Sequence, residues 1–310
     1  MSANVLTTRP AAYHRSVQTL SRDEWEPRAA AHAARVDDFV APHLARRSDR
    51  VKHPVHDFLF TYYSQRPAQL RRWHPGYGVA LADAPDYASL KGYEASAGST
   101  TVEASYVSTQ QPLLTALVRL LRATASRPAN FGCFGMHEWA MVYRLSEDDT
   151  RHADWPLRLG ASGTDEVVES HRIACSHFDA YRFFTPAAAP LNTLSPTSAD
   201  RPEFEQPACL HAGMDLYKHA FRLTPMISSD LVADCFELAR DIRELDMRAA
   251  PYDLLDLGFT PVRIETAAGK AEYAEAQRAF AARGEPLRTR LIEECERLLT
   301  ACEWWPRSPA

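Results

Sequence analysis

Histidine occurs together with cysteine and carboxylates in four short segments of this sequence. The segments are HPVHD at 53–57, CFGMHE at 133–138, CSHFD at 175–179 and CLHAGMDLYKH at 209–219. In three of them a cysteine precedes a histidine by two or four residues, a spacing that places both side chains on one face of a strand or helix. Imidazole, thiolate and carboxylate groups are the usual protein ligands of transition metals. The four segments therefore predict a metal-binding site.

We expect a divalent metal ion, iron or zinc, to be bound by His137, His177 and His211. A histidine site with an open coordination position activates water or oxygen, and carboxylates act there as further ligands or as general bases. The candidate catalytic carboxylates are Glu138, Asp179 and Asp215. The side chains expected to bind a small-molecule substrate are Trp139, Arg182, Tyr217, Lys218 and His219. The sequence leaves open whether His53, His56 and Asp57 join the same site.

Several motifs of other enzyme classes are missing from the sequence. Gly76-Tyr77-Gly78 lacks the third glycine of a dinucleotide-binding turn, and there is no phosphate-binding loop with its lysine. The stretch GASGT at 160–164 does not match the turn that carries a nucleophilic serine. His137-Glu138 is not followed by the second histidine of a zinc-protease helix. These absences disfavour nucleotide-cofactor enzymes and serine hydrolases.

The charge of the chain bears on nucleic-acid binding. Forty acidic residues against 35 basic ones give a formal net charge of -5, which argues against a DNA-binding face that spans the whole surface. Segment 44–74 is the exception, because it carries seven Lys and Arg residues against two Asp residues, with aromatic residues between them. A basic, aromatic segment can contact phosphates and stack on bases. DNA therefore remains a candidate partner through this segment.

Three longer stretches, 130–144, 172–192 and 209–223, carry a family resemblance. The chain resembles a family of actinobacterial proteins described as 3-methyladenine DNA glycosylases, over most of its length from His53 to Arg290. The resemblance implies that the protein excises alkylated bases from DNA. Glu138 or Asp179 would then guide the attacking water, and Trp139, Tyr62 or Trp73 would stack on the flipped base. A third alternative is a protein that binds a ligand without catalysis.

The sequence also predicts the surroundings of the protein. Its six cysteines form no C-x-x-C pair, and no secretory signal precedes them, so we expect reduced thiols and a cytoplasmic protein. No apolar stretch reaches the length of about 18 residues that a membrane-spanning helix needs. We therefore expect no membrane association.

The periodicity of apolar residues predicts an α+β fold, predominantly helical with a small sheet, as one domain over residues 1–310. Residues 1–22 are expected to form a loose N-terminal arm, and 186–207 a long proline-rich loop. Helices are predicted at 23–47, at 109–126, from 228 onward, at 267–282 and at 286–301, the last two separated by 283–285. His211, Asp215 and His219 would share one helix face. Strands are predicted at 102–107 and 172–184, and 139–145 fits either type.

Overall fold

The computed structural model describes residues 17–145 and 154–303. It has the α+β, mainly helical architecture that the sequence predicts. Most of the predicted N-terminal arm, residues 1–16, lies outside the described residues. The end of that arm is not loose, because Gln18–Leu20 forms strand β1 of the sheet.

The helices are α1 (Arg22–Ser48), α2 (Phe58–Tyr62), α3 (Pro67–Arg71), α4 (Pro85–Ala88), α5 (Ala104–Thr109), α6 (Gln111–Ser126), α7 (Met136–Ala140), α8 (Gly160–Glu169), α9 (Phe178–Tyr181), α10 (Arg201–Phe204), α11 (Leu210–Arg222), α12 (Ser229–Arg248) and α13 (Ala267–Glu303). Short 3₁₀ turns occur at Ala189–Leu191 and Leu255–Leu257. Among the described residues, no helix has the length and apolar character that crossing a membrane requires.

The sheet has four short strands in the order β1-β2-β4-β3. Strand β2 is Val79–Ala82, β3 is Tyr93–Ser96 and β4 is Ser99–Val102. Strands β1 and β2 are parallel, whereas the other two pairs are antiparallel. The β3–β4 hairpin turns through Ala97 and Gly98, whose φ angles of 49° and 79° are those of the tight turn that matches strand twist. All four strands come from the first part of the chain, between Gln18 and Val102.

Helices α6, α11, α12 and α13 pack together as the core of the molecule. Helix α6 buries an apolar stripe at three- and four-residue spacing, Leu114, Leu117, Leu120 and Leu121. Helix α12 begins where the Ser228 hydroxyl accepts a hydrogen bond from the Asp230 backbone N–H at 3.1 Å. The predicted helices at 23–47, 109–126 and from 228 onward are confirmed, as is the helix that carries His211, Asp215 and His219.

The predicted break between two C-terminal helices is wrong, because α13 continues through Gly284 and Pro286. Both halves of α13 contribute buried residues to the interior. Tyr273 in the first half and Leu291 in the second are fully buried, and a Cβ added at Gly284 would lie 3.6 Å from the Leu238 side chain. Burial of one continuous helix face outweighs the local cost of a glycine and a proline.

Both predicted strands are also wrong. Residues 104–109 form helix α5, and only Val102 of the segment 102–107 belongs to strand β4. The segment 172–184 is irregular up to His177 and then forms α9. At Ile173 the backbone makes one isolated parallel bridge with Asn192. At Cys175 a side chain satisfies the backbone, because Asn192 accepts from the Cys175 N–H at 2.7 Å and donates to the Cys175 carbonyl at 3.0 Å. The segment 139–145 completes helix α7 and continues as turns.

The predicted loop at 186–207 is irregular for most of its length. It is interrupted by the 3₁₀ turn at Ala189–Leu191 and by the single turn of α10. Its last residues, Glu205 and Gln206, are buried. The loop therefore contributes side chains to the interior, which matters for the site described next.

Candidate metal centre

Three of the four predicted segments meet in the interior. The ring centres of His137 and His211 lie 4.4 Å apart, and the His177 ring lies 5.4 Å from His211. His211 is thus in contact with both other rings. His137 and His177 are buried, whereas His211 is partly exposed.

A sharp turn before α7 directs His137 and Glu138 inward. Phe134 and Gly135 both adopt left-handed backbone conformations, with φ of 46° and 67°. A Cβ at Gly135 would meet its nearest neighbour, the Tyr273 ring, at an ordinary 3.5 Å. Glycine is therefore favoured here by the backbone conformation and not by a lack of space. All five residues of α7 are buried, so the side chains of His137 and Glu138 both lie in the interior.

His137 and Asp246 form the central pair of the site. His137 Nε2 lies 3.0 Å from Asp246 Oδ1, and the two side chains are 3% and 0% exposed. Neither atom has an aligned hydrogen-bond partner among the described residues. Glu138 Oε1 lies 4.0 Å from the same His137 nitrogen. His137, Glu138 and Asp246 each offer one ligand atom within 4.8 Å of the others, which is the spacing of atoms that can share one metal ion.

Arg243 holds the two carboxylates in place. Its guanidinium donates to Glu138 Oε1 at 2.9 Å and to Asp246 Oδ2 at 3.1 Å. The face of the guanidinium lies 3.9 Å from the centre of the Phe58 ring. Because Arg243 occupies Oδ2 of Asp246, the other oxygen, Oδ1, is left for His137 and for a cation.

Asp246 and Arg243 were not among the site residues predicted from the sequence. Both lie on α12, whose apolar residues, such as Ile242, recur every three or four positions. Asp246 follows Ile242 by four residues, so the helical repeat places it on the buried side. A carboxylate and a guanidinium three residues apart on a buried helix face are the signal that could have identified them.

His177 lies in a second polar group on the far side of His211. It is fully buried, and its Nε2 is 3.4 Å from both Glu205 Oε1 and Asp215 Oδ2. Arg201 contacts both carboxylates, and its bond to Asp215 measures 2.6 Å. Lys218 bridges Asp215 and Asp179. Tyr63 donates to Asp215 Oδ1 at 3.2 Å. Glu205, Arg201 and Tyr63 were not among the predicted residues, because they come from segments without a metal-ligand pattern.

The charges of these groups shift their pKa values in both directions. Burial opposes the imidazolium form of His137, but the adjacent Asp246 carboxylate outweighs this effect and raises the pKa of His137 well above its usual range. Burial and the charge on His137 lower the pKa of His211. Burial opposes the charged form of Asp215, yet Lys218 outweighs it and holds the pKa of Asp215 well below its usual value. Asp215 and Asp246, whose pKa His137 likewise lowers, are therefore ionised at neutral pH.

The fixed charges of the two groups do not cancel. Three cationic side chains face four buried carboxylates, and a fifth carboxylate, Asp179, is balanced by the exposed Arg182 at 3.1 Å. The four carboxylates are Glu138, Glu205, Asp215 and Asp246, and the three cations are Arg201, Lys218 and Arg243. One negative charge remains. A proton on a histidine or a bound cation would balance it.

The cysteines next to these histidines are free thiols. Burial raises the pKa of Cys175 and of Cys209. Both thiols are therefore protonated in the metal-free protein, and the anionic ligand atoms at hand are carboxylate oxygens.

Three residues predicted to bind substrate lie in packed positions. Trp139 is fully buried, with its indole N–H donating to the Ala249 carbonyl at 2.8 Å. Tyr217 is fully buried, and its ring centre lies 5.0 Å from that of Phe236. Burial lowers the pKa of His219 to about 3, so its imidazole is neutral. Their placement gives them packing roles, and the proposal below uses none of them. Arg182 and Lys218 lie at the outer edge of the His177 group.

The segment 53–57 borders the site without adding a ligand to it. The rings of His53 and His56 stack at 4.6 Å. Asp57 is held by His43 at 2.9 Å and by Arg46, which turns its carboxylate toward α1. The segment reaches the centre through the Pro54 carbonyl, 3.5 Å from the Arg243 guanidinium.

The basic segment 44–74 is partly neutralised by its neighbours. Arg46 pairs with Asp57, and Arg71 pairs with Asp37 at 2.8 Å. Lys52 pairs with Asp154 at 2.9 Å. Contact with DNA through this segment stays a prediction.

No known protein family matches the chain, and no curated protein and no solved structure matches it either. The resemblance to the glycosylase-labelled family likewise stays a prediction.

Proposed function

We propose that the protein is a metal-dependent enzyme that activates water or oxygen toward a small-molecule substrate, with iron or zinc bound at His137 and Asp246. The observation that carries the proposal is the facing pair of buried ligand atoms. His137 Nε2 and Asp246 Oδ1 lie 3.0 Å apart, and neither has an aligned hydrogen bond in the described part of the chain. Two ligands at right angles on an ion with bonds of about 2.1 Å are separated by about 3 Å.

An imidazolium–carboxylate pair is the competing explanation for this contact. Such a pair is normally joined by an aligned N–H···O hydrogen bond, which gives it most of its strength. The His137–Asp246 pair has the short distance without the alignment. A shared cation explains both features, because it needs the lone pairs of both atoms to point at a third position.

The proposal changes the expected ligand set. His137 remains a ligand, Asp246 joins it, and Glu138 is the third ligand or the general base. His211 contacts the His137 ring and is partly exposed, so it borders the path by which a substrate enters. His177 lies beyond His211, fully buried beside Glu205 and Asp215, and is not a ligand in this arrangement.

The metal content of the purified protein tests the proposal. We expect about one divalent ion per chain by elemental analysis. His137→Gln and Asp246→Asn should each reduce the metal content to near zero, because each removes one buried ligand atom. His219→Gln is the matched control, since His219 is also a buried histidine but lies outside the ligand set. Its metal content should equal that of the wild type.

A metal titration of the metal-free protein can contradict the proposal. If the wild-type protein binds neither zinc nor, without oxygen, ferrous iron, the ion-pair explanation remains.

Catalysis is tested separately. Wild-type protein loaded with zinc should hydrolyse members of a panel of small esters and amides, or loaded with iron should consume oxygen in their presence, and Asp246→Asn should not. Metal binding without any turnover would favour a ligand-binding protein.

A further inference from the structure

A cleft of about 380 Å³ lies between α1, the sheet edge and the start of α12, and it shares no residue with the candidate metal centre. Its apolar wall is formed by Leu20, Trp73, Pro75 and Val79. Its volume is in the range of small-molecule sites, which are usually apolar with a few polar groups. The polar groups of this cleft are arranged in a way that indicates a particular ligand chemistry.

Arg28 and Asp230 carry opposite charges in the lining of the cleft, but they do not pair. Deeper in the cleft, Arg35 binds Asp234 at 2.8 Å and Glu237 at 2.7 Å, which fixes α1 against α12. Arg28 lies on the same face of α1, two turns earlier, and has no ion-pair partner within the described ranges 17–145 and 154–303. Asp230 accepts a hydrogen bond from the Ser228 hydroxyl at 3.1 Å, and no described cation pairs with it. One guanidinium and one carboxylate therefore remain available to a ligand.

His32 adds a buried acceptor to the same lining. Its Nε2 lies 2.8 Å from the Leu70 carbonyl, which can only accept, so Nε2 carries the proton and Nδ1 is the acceptor. Nδ1 has no partner among the described residues, although His32 is 3% exposed. A buried acceptor without a donor is unfavourable, and a ligand N–H or O–H would satisfy it.

We propose that this cleft binds a small zwitterion, an α-amino acid with an aromatic or branched apolar side chain. Its carboxylate would pair with Arg28, and its ammonium group would meet the acceptors Asp230 and His32. Its side chain would lie on Trp73 and the apolar wall. The two unpaired charges of opposite sign select against simple anions and simple cations, since either would leave one of them unpaired.

Calorimetric titration with three probes tests this ligand class. L-Phenylalanine carries both charges, phenethylamine lacks the carboxylate and 3-phenylpropanoate lacks the ammonium group. We expect L-phenylalanine to bind about tenfold more tightly than either truncated probe, because each charged contact contributes about one factor of ten. Equal affinities for the three probes, or no binding of L-phenylalanine up to about 10 mM, would overturn the proposal.

Two variants assign the contacts. Arg28→Gln should weaken L-phenylalanine binding about tenfold and leave phenethylamine unchanged. Asp230→Asn should weaken L-phenylalanine similarly and leave 3-phenylpropanoate unchanged. Arg22→Gln is the matched control, because Arg22 lies on the same helix, pairs with Glu26 at 2.7 Å and does not line the cleft. Wild-type affinity for L-phenylalanine in both cleft variants would also overturn the proposal, and thermal melting confirms that each variant is folded.

Discussion

Asp246 uses its two oxygens for different purposes. Oδ2 accepts a hydrogen bond from Arg243 at 3.1 Å, and Oδ1 faces His137 at 3.0 Å. A carboxylate divided in this way is held rigidly by one oxygen while the other is presented to a third group. In the proposed metal centre the guanidinium would position the ligand atoms, as groups outside the ligand set commonly do at metal sites.

The pH dependence of zinc binding separates a metal ligand from an ion-paired histidine. The carboxylate of Asp246 raises the pKa of His137 in the metal-free protein, and zinc must displace that proton. The affinity for zinc should therefore increase as the pH rises toward the raised pKa, by about tenfold per pH unit. Competition with a chelator at several pH values measures it.

The stability of the metal-free protein should depend on pH in the opposite direction and decrease as the pH rises. Since the pKa of His137 is higher in the folded than in the unfolded state, the stabilisation it gives is complete below the unfolded value of about 6.5. It is lost as the pH rises through the raised pKa. Urea titrations should show this decline in the wild type and not in His137→Gln. Zinc affinity that does not change with pH would contradict the assignment of His137 as a ligand.

Arg243 is expected to be needed for folding of the metal-free protein. Its side chain is 2% exposed and it is bound to Glu138 and Asp246. Arg243→Met removes the guanidinium that both buried carboxylates bind, which should lower the free energy of unfolding by about 3–5 kcal/mol. Denaturant titration measures the loss. If zinc restores part of the stability of this variant and none in Asp246→Asn, the metal and the guanidinium share the carboxylates.

Helix α13 is one continuous helix, although its sequence contains the signals of a break. It has buried residues both before and after Gly284, and it packs against α6, α11 and α12. The local pattern Arg283-Gly284-Glu285-Pro286 is typical of a helix end followed by a helix start. Tertiary packing outweighs the local preference for a helix break. Burial of one continuous helix face stabilises the fold by more than one glycine and one proline destabilise the helix.

Replacing Gly284 by alanine tests whether the helix is continuous. The nearest atoms to an added Cβ, in Leu238 and Leu216, lie at 3.6 and 3.7 Å, which is ordinary contact. Gly284→Ala should therefore raise the free energy of unfolding by about 0.5–1 kcal/mol, the usual gain in a helix interior. Gly135→Ala is the contrasting control, since Gly135 has a φ of 67° and alanine should be destabilising there. A destabilised Gly284→Ala would indicate a helix end at 283–285.

The molecule as a whole depends on histidines that are kept neutral. His74, away from the centre beside the sheet, lies 2.9 Å from the Tyr93 hydroxyl, and burial lowers its pKa to about 3. Burial lowers the pKa of His219 to about 3 as well. These residues stabilise the fold in their neutral form, and protonation favours the unfolded chain.

The protein should therefore lose stability in mild acid. For a histidine whose folded pKa is below its unfolded value, the stabilisation is complete above about pH 6.5 and is lost as the pH falls toward 3. Each tenfold difference in proton affinity corresponds to about 1.4 kcal/mol, so His74 and His219 together make the effect several kcal/mol. Urea titrations from neutral to acidic pH measure it. His74→Phe should flatten the dependence, and an unchanged slope would remove His74 as a cause.

Regular elements followed from the sequence wherever an apolar repeat was long. Helices α6 and α12 carry such repeats, and each lies where it was predicted. Helix α1 was predicted from its cap and its acidic first turn, and it too lies where it was predicted. The predicted strand at 172–184 failed because alternation of residue types does not reveal what the backbone will bond to. In the fold, Asn192 fills that role for Cys175 from seventeen positions away.

The helical character of the protein and many of the residues with metal-ligand chemistry could be predicted from the sequence, because both depend on residue types and on short spacings. Which side chains meet in the interior depends on the tertiary structure. It joined His137 to Asp246, 109 positions later in the chain, and placed Arg243 behind them. It also separated His177 from this pair by the His211 ring. The physical reason is that a buried charge must be balanced by its neighbours in space, and those neighbours are set by how helices pack and not by their order in the sequence.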